Sequence, residues 1–380
     1  MQKGFKIRIY PTKGQEEKFW QHIGCCRYVW NWMLDHQQKN YADGGKHLSA
    51  FDMMNKLKPL KNDGGHDWLY EVSNTSLKDT CRDLDKAYKA FFKKNAKFPK
   101  FKSRKHSNPS YPVRSESLWF DGKYANIEKV GKVRYKTDFN LPHGTRGGKY
   151  YNARISYDGF KWYLSFAMEC ESQAPELTDK NMGIDLGIKE LAVVAYGDEE
   201  LVFPNINKSQ QMRELEKRIK HLQRNISRKY EQNKVGNKYV KTNNIIREER
   251  KLKKLLKRQK DIRHNYVHQT THRLVAMLPK QVVMEDLNVT GMMKNKHLSK
   301  VIQGQCFYEF RRQMKHKCEW NGIQLIEADR YYPSSKTCSC CGTIKRDLRL
   351  KDRTFICPEC GLEIDRDYNA AINLMNYSPA

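Results

Sequence analysis

Two cysteine pairs limit this chain's folding more than any other feature. Cys338-x2-Cys341 and Cys357-x2-Cys360 stand fifteen residues apart, and each pair is followed at once by a glycine, Gly342 or Gly361. Four thiolates that converge in a tetrahedron, about 2.3 Å from a central ion, form the closed set that structural Zn²⁺ takes. Glycine lets the backbone turn its amides toward the sulfurs. Cys340 lies inside the first pair, and the x2 spacing favours Cys341 over it. Cys340 and the other six cysteines (Cys25, Cys26, Cys81, Cys170, Cys306 and Cys318) read as ordinary buried thiols. Five residues past Cys360 the chain enters "DRDYNAAINL", two aspartates and a short apolar helix. A metal clip is thus joined directly to a pair of acids.

Two further acids lie at the ends of apolar strands. "MGIDLGI" alternates Met182, Ile184, Leu186 and Ile188 on one face with Gly183, Asp185 and Gly187 on the other. The flanking glycines are expected to leave open space over Asp185 for a metal ion and a phosphate backbone. "VVMEDLNV" ends a second strand in Glu285, which would be costly to bury unpaired, and turns Asp286 to the opposite face. The third acid is Asp367, which opens the last helix and would also suit an N-cap, or Asp365 just before it. Acids on a first strand, a later strand and a terminal helix start are the set that holds two Mg²⁺ ions for in-line attack of water on a phosphodiester.

Composition agrees on the partner. The 71 Lys and Arg against 43 Asp and Glu give a net charge of +28 on a chain with enough apolar residues for a core, which indicates a polyanion such as nucleic acid. The N-terminus has no apolar signal region and no apolar run approaches about 18 residues, so a soluble, cytoplasmic protein without membrane contact is expected. Between residues 206 and 270 there are 20 Lys and Arg but only 6 Asp and Glu, too unequal for a balanced solvated face. Two long helices are expected there, broken at "KVGNK", with Lys251, Lys253, Lys254 and Lys257 along phosphates. "KFPKFKSRK" offers Lys97, Lys100, Lys102 and Arg104 beside aromatic residues for the same purpose. Ahead of it, Phe19, Ile23, Cys26, Trp30 and Met33 mark one face of a helix that starts at a Thr12–Gln15 capping box. A second helix is expected from Ser49, and a third carries Leu77, Cys81, Leu84, Tyr88 and Phe91. Short alternating strands follow from Tyr124 to Glu171, and from residue 180 strands alternate with helices, an α/β pattern.

In order along the chain, "GIDLGIK", "MEDLNV", "DRYYPSSKTCSCCG", "CPECG" and "DRDYNAAINL" make it resemble the TnpB family, transposon-encoded relatives of type V CRISPR effectors. The resemblance covers essentially the whole chain and implies an α/β, RNase H-like (RuvC) nuclease domain at 179–337 and 362–380, with a helical hairpin at about 206–277 and a four-cysteine zinc ribbon inserted at 338–361. It implies a split β-barrel wedge domain at 1–11 and 96–178 around a helical recognition lobe at 12–95. Its implied catalytic acids and Mg²⁺ ligands are Asp185, Glu285 and Asp367, and its implied Zn²⁺ ligands are Cys338, Cys341, Cys357 and Cys360. The activity it implies is RNA-guided cutting of double-stranded DNA beside a short transposon-adjacent motif, with a guide RNA from the transposon end and no required protein partner. The alternative is a non-cleaving RNA-guided regulator or transposase accessory protein, against which the intact acids weigh. An actin-like ATPase, suggested by Asp-Leu-Gly alone, lacks Gly-rich phosphate loops and does not fit the charge.

Overall fold

The computed structural model describes residues 2–137, 141, 150–170, 175–349 and 351–378. They fall into two compact units, Met1–Glu171 and Ser172–Ala380. Among the described residues, no helix is long and apolar enough to cross a membrane.

The first unit opens with β1 (Gln2–Tyr10), whose alternation buries Ile7 and Ile9 and exposes Lys6 and Arg8. Thr12 and Gln15 close the expected capping box on α1 (Lys13–Ala42), and the Phe19-to-Met33 stripe is buried. Ser49 caps α2 (Ala50–Lys61), paired with Asp52. α3 (Asn74–Phe92) buries Leu77, Cys81, Leu84 and Tyr88, whereas Phe91 is only half-buried. Then follow β2 (Ser110–Pro112), β3 (Trp119–Asp121), β4 (Tyr124–Ile127), β5 (Gly131–Lys136), β6 (Tyr150–Tyr157) and β7 (Trp162–Glu169). With β1 they form an antiparallel sheet in the order β2-β6-β7-β1-β5-β4-β3. Helices and sheet share one core, for Phe19 of α1 packs on Tyr111 of β2 and Trp162 of β7.

The second unit is built on β8 (Asn181–Leu186), β9 (Glu190–Tyr196) and β10 (Glu199–Pro204), an antiparallel meander. Helix α4 (Gln210–Gln232), a small hairpin of β11 (Lys234–Val235) and β12 (Lys238–Tyr239), and helix α5 (Asn243–Ala276) follow. Met212, Leu215 and Ile219 of α4 meet Leu252, Leu255 and Ile262 of α5 in a narrow apolar seam, which leaves the other faces to charge. β13 (Gln281–Glu285) then pairs parallel to β8. After α6 (Val289–Met292), α7 (Ser299–Gln305) and α8 (Phe307–Asn321), β14 (Gln324–Ala328) pairs parallel to β13. The hairpin β15 (Thr354–Ile356) and β16 (Glu363–Asp365) leads into α9 (Arg366–Met375). The five-stranded order β10-β9-β8-β13-β14 has helices on both faces. Met182 and Ile184 pack with Leu274 of α5 and with Phe310 and Met314 of α8, while Val193, Ala195 and Val283 pack with Ala371 and Leu374 of α9. A three-strand antiparallel meander followed by two parallel strands, with helices on both faces, gives the α/β pattern expected from residue 180 onward.

Candidate active site

The register of β8 and β13 sets two acids side by side. Their last paired position is Ile184 with Met284, so Asp185 and Glu285 come next on neighbouring strands about 4.8 Å apart. Side chains alternate, so Gly183, Asp185, Val283 and Glu285 all face α9. Asp286, one residue on, turns away and is held by Arg311 (2.9 Å) and Arg330. In open α/β sheets, ligands gather outside the carboxyl ends of parallel strands, which is where Asp185 and Glu285 stand.

Helix α9 brings the third acid. Asp365 is its N-cap and accepts from the Asp367 and Tyr368 amides at 2.9 and 3.2 Å. The alternative left open by the sequence is thereby divided: Asp365 does the capping, and Asp367, in the first turn, has its carboxylate free of that duty. Asp367 is paired with Arg366 at 2.9 Å and lies 3.7 Å from Arg353. Burial, followed by the charges of Glu285 and Asp367, holds the half-buried Asp185 carboxyl well above the usual carboxylate range, and Arg366 opposes that rise. Burial and Asp367 also raise Glu285, whose Oε1 accepts from Ser334 Oγ at 2.6 Å. The three acids are thus near enough for their charges to act on one another, but among the described residues the four cysteines, and not these carboxylates, are the group whose ligand atoms lie within 4.8 Å of one another.

The glycine expectation needs correction. Gly183 does not open space over Asp185; a Cβ there would collide with the Ala371 carbonyl oxygen and the Met375 amide of α9. The glycine is there so that the helix carrying Asp367 can lie directly on the strand carrying Asp185, helped by the small Ala370 and Ala371. Gly183→Ala is therefore expected to destabilise the protein by about 1–3 kcal/mol through overpacking, read as a lowered thermal midpoint. A midpoint unchanged by this substitution would show that α9 can stand off the sheet.

Two buried asparagines one turn apart fasten the other side of α9. Asn373 donates to the carbonyls of Ser334 and Thr337, both at 2.7 Å, and Asn369 donates to Thr337 at 2.7 Å and accepts from the Ser339 amide. Polar residues on the apolar stripe of "YNAAINL" were a visible signal for this role; Ser334 left none.

The cysteine clip closes as the spacing predicts. The sulfurs of Cys338, Cys341, Cys357 and Cys360 all lie within 4.8 Å of one another, with Cys338–Cys360 at 3.6 Å and Cys341–Cys357 at 3.5 Å. Sulfurs 2.3 Å from a tetrahedral ion would be about 3.8 Å apart, so this set fits zinc. Cys340 is not in the cluster. The two knuckles match: the Gly342 amide donates to Cys338 O and the Gly361 amide to Cys357 O, with φ of 78° and 74° that glycine tolerates.

The basic candidates divide into two kinds. Trp30 Nε1 donates to Lys100 O at 3.0 Å, and Asn31 clamps both backbone groups of Lys102, at 2.9 and 2.7 Å. This straps the segment to α1 by its main chain and leaves Lys97, Lys100 and Arg104 exposed. Lys102 instead folds over Trp30, 3.5 Å from the ring centroid, and burial lowers its pKa to about 8. On the hairpin, Lys251 and Lys254 line a groove of about 760 Å³ together with Lys217, Arg218 and Arg258, over Leu222 and Leu255. Lys253 and Lys257 lie off the groove, and Lys257 is paired with Asp261.

Three family profiles match parts of the chain: a "Helix-turn-helix domain" at residues 1–46, a "Probable transposase" at 165–296, and a "Cas12f1-like, TNB domain" at 307–374. Over the first, the structure has a strand and one long helix, β1 and α1. Among full-length relatives, a Streptomyces pristinaespiralis protein named "Putative RNA-guided DNA endonuclease" is 30% identical over 377 residues, which cover 99% of this chain and 89% of that one. InsQ of Escherichia coli (strain K12), named likewise, is 29% identical over 98% of this chain and 91% of its own length. The "CRISPR-associated endodeoxyribonuclease Cas12f1" of Sulfoacidibacillus thermotolerans is 29% identical over 56% of this chain and 50% of its own.

Proposed function

The chain belongs to the TnpB family, and on that premise we propose that it is an RNA-guided DNA endonuclease that hydrolyses target DNA beside a short adjacent motif. The observation that carries this reading is the register that sets Asp185 beside Glu285 on β8 and β13, with Asp367 near enough for its charge to raise both. Asp185 and Asp367 would hold the divalent cations, two Mg²⁺ in this reading, with Glu285 completing the pocket. Bound there, the cations would supply charge stabilisation and an acidified water for phosphodiester hydrolysis. Ser334 donates to the Glu285 carboxylate, and Arg366, paired with Asp367, offsets part of the acids' charge. Target sequence would be read by guide pairing, with the protein holding backbone and heteroduplex shape. The wedge and recognition-lobe roles of residues 1–178 belong to the same reading, with the guide RNA derived from the transposon end.

The test is direct. RNA that copurifies with the protein is sequenced, and a matched target is offered with a randomised flank and Mg²⁺. Cleavage confined to one flanking motif is expected; no cleavage of a matched target on any flank would sink the reading.

The hairpin groove yields a separate expectation. Replacing Lys217, Arg218, Lys254 and Arg258 with glutamine should weaken RNA binding and reduce the log–log salt slope by about 3, near 0.7–0.9 per lost phosphate contact. An unchanged slope in filter binding from low to high salt would return the groove to a solvated surface.

A further inference from the structure

A small pocket in the first unit collects positive charge that its own carboxylates do not balance. Its walls come from α1, α3, β6 and the segment 102–112, and Arg27, Lys102, Arg104 and Arg154 line it beside Asp83. Arg154 is paired with Asp83, whereas among the described residues no carboxylate pairs with Arg27, Lys102 or Arg104. From this arrangement we propose that the pocket holds one phosphodiester group of a bound nucleic-acid strand, with Lys102 and Arg27 on the same phosphate. The proposal rests on the RNA-guided reading and adds a fixed anchor to it, separate from the groove on α4 and α5, which lies in the other unit.

Size and charge decide the occupant. The space is about 50 Å³. A water molecule needs about 10–15 Å³ on that measure, so there is room for a group of a few oxygen atoms and none for a base. An isolated carboxylate would satisfy one of the three unpaired cations. A strand carries further phosphates past the pocket, where Arg104 is exposed. Guanidinium and ammonium groups together suit such a backbone, the first by its forked donors and the second as a point charge.

The site is held by its backbone before any ligand arrives. Asn31 fixes both main-chain groups of Lys102, the Ser103 amide donates to Ser107 Oγ at 3.0 Å, and the Tyr157 amide of β6 donates to Pro109 O at 3.0 Å. The Trp30 ring under the Lys102 ammonium lets a half-buried cation stand without a carboxylate. Burial brings Lys102 down to about 8; Asp83 opposes that fall, Arg154 adds to it, and Cys26 opposes it weakly. Arg27 and Arg104 line the same space and stay charged, and the Cys26 thiol, itself pushed up to about 12, stays neutral. A phosphate in the pocket supplies the missing negative charge and returns Lys102 toward the ordinary lysine value near 10.4.

The experiment uses the full chain. Binding is measured in EDTA, first to the guide RNA that copurifies with it and then, in the guided complex, to a matched DNA target. Arg27→Gln and Lys102→Met should each weaken one of these steps by on the order of tenfold. The double variant should reduce the log–log salt slope of that step by only about 0.7–0.9, the value of one phosphate, although two cations are gone. A loss at the first step assigns the phosphate to RNA, and a loss at the second alone assigns it to DNA. Lys102→Arg should keep the affinity at pH 7, because a guanidinium stays charged. Between pH 7 and 9 wild type should lose on the order of tenfold more affinity than Lys102→Arg, since Lys102 deprotonates in the free chain while the phosphate holds it protonated. This comparison does not depend on how well the charge-deleted variants fold. Equal pH responses, a slope reduced by about 1.4–1.8, or an unchanged slope at both steps would overturn the pocket and leave the guided reading to the cleavage test. A wild-type chain with which no RNA copurifies would overturn both.

Discussion

Asp185→Asn is expected to abolish DNA cleavage and, in the same protein, to raise the thermal midpoint measured in EDTA. The loss should be on the order of 10³-fold or more, because a metal misplaced at the reacting phosphate forfeits several kcal/mol of charge stabilisation and each 1.36 kcal/mol is tenfold. The gain in stability has the same origin. Asp185 is held among Glu285 and Asp367, and burial and their charges raise its carboxyl well above the ordinary range. A group with a raised folded pKa contributes full stability below the ordinary carboxylate range near pH 4, and that stability is lost as pH rises through the folded value. At neutral pH without cations, wild type therefore carries a penalty that asparagine removes, about 1 kcal/mol or roughly 2–4 °C. Mg²⁺ should raise the wild-type midpoint far more than the variant's. Identical pH and Mg²⁺ responses in the two proteins would show that the acids do not sense one another. Asp367→Ala should be as inactive as Asp185→Asn, whereas Asp365→Ala should lose only a helix cap, about 0.5–2 kcal/mol of stability, and keep cleavage within about tenfold. An inactive Asp365→Ala beside an active Asp367→Ala would exchange their roles.

What could be read in advance follows the range of the interactions. Alternation in "MGIDLGI" and "VVMEDLNV" marks two strands and the faces of their acids, because strand periodicity is local. The capping boxes at Thr12 and Ser49, the helix stripes and the cysteine spacing are also local and visible. The reason for Gly183 was not legible, since it depends on Ala371 and Met375, nearly two hundred residues away. Ser334 on Glu285 and Asn373 on Ser334 are likewise contacts between segments far apart in sequence. Charge counting located the basic hairpin but could not choose its face; the seam of Leu215, Ile219 and Leu255 does that, and it sets Lys253 and Lys257 away from the groove. In the first unit, helical stripes and alternating strands were each readable, but nothing local indicated that they would share one core.

Cys357→Ser is expected to lose zinc and, with it, most of the cleavage rate, while RNA binding changes much less. Cys357 follows β15, Cys360 precedes β16, and the pairing of Thr354 with Asp365 makes the second knuckle the tip of a hairpin that ends on the N-cap of α9. The Arg366 amide donates to Arg353 O at 2.8 Å, a further tie between that hairpin and the first turn. Phe355, fully buried with Cys338 and Cys357, forms the small core that zinc closes. Without the ion that small core loosens and the start of α9 loses an anchor, while Asn369 and Asn373 against residues 334–339 and the packing of the helix on β8 remain. A shift of about 1 Å in Asp367 then costs on the order of 100-fold in single-turnover cleavage at saturating protein. The competing possibility is a knuckle that grips nucleic acid and positions nothing; the variant would then bind target weakly but cut at the normal rate once saturated. Bound zinc per chain, measured beside the saturated rate, separates the two. Full-rate cleavage in a zinc-free chain would show that the asparagine contacts and the packing of α9 on the sheet place Asp367 without the clip.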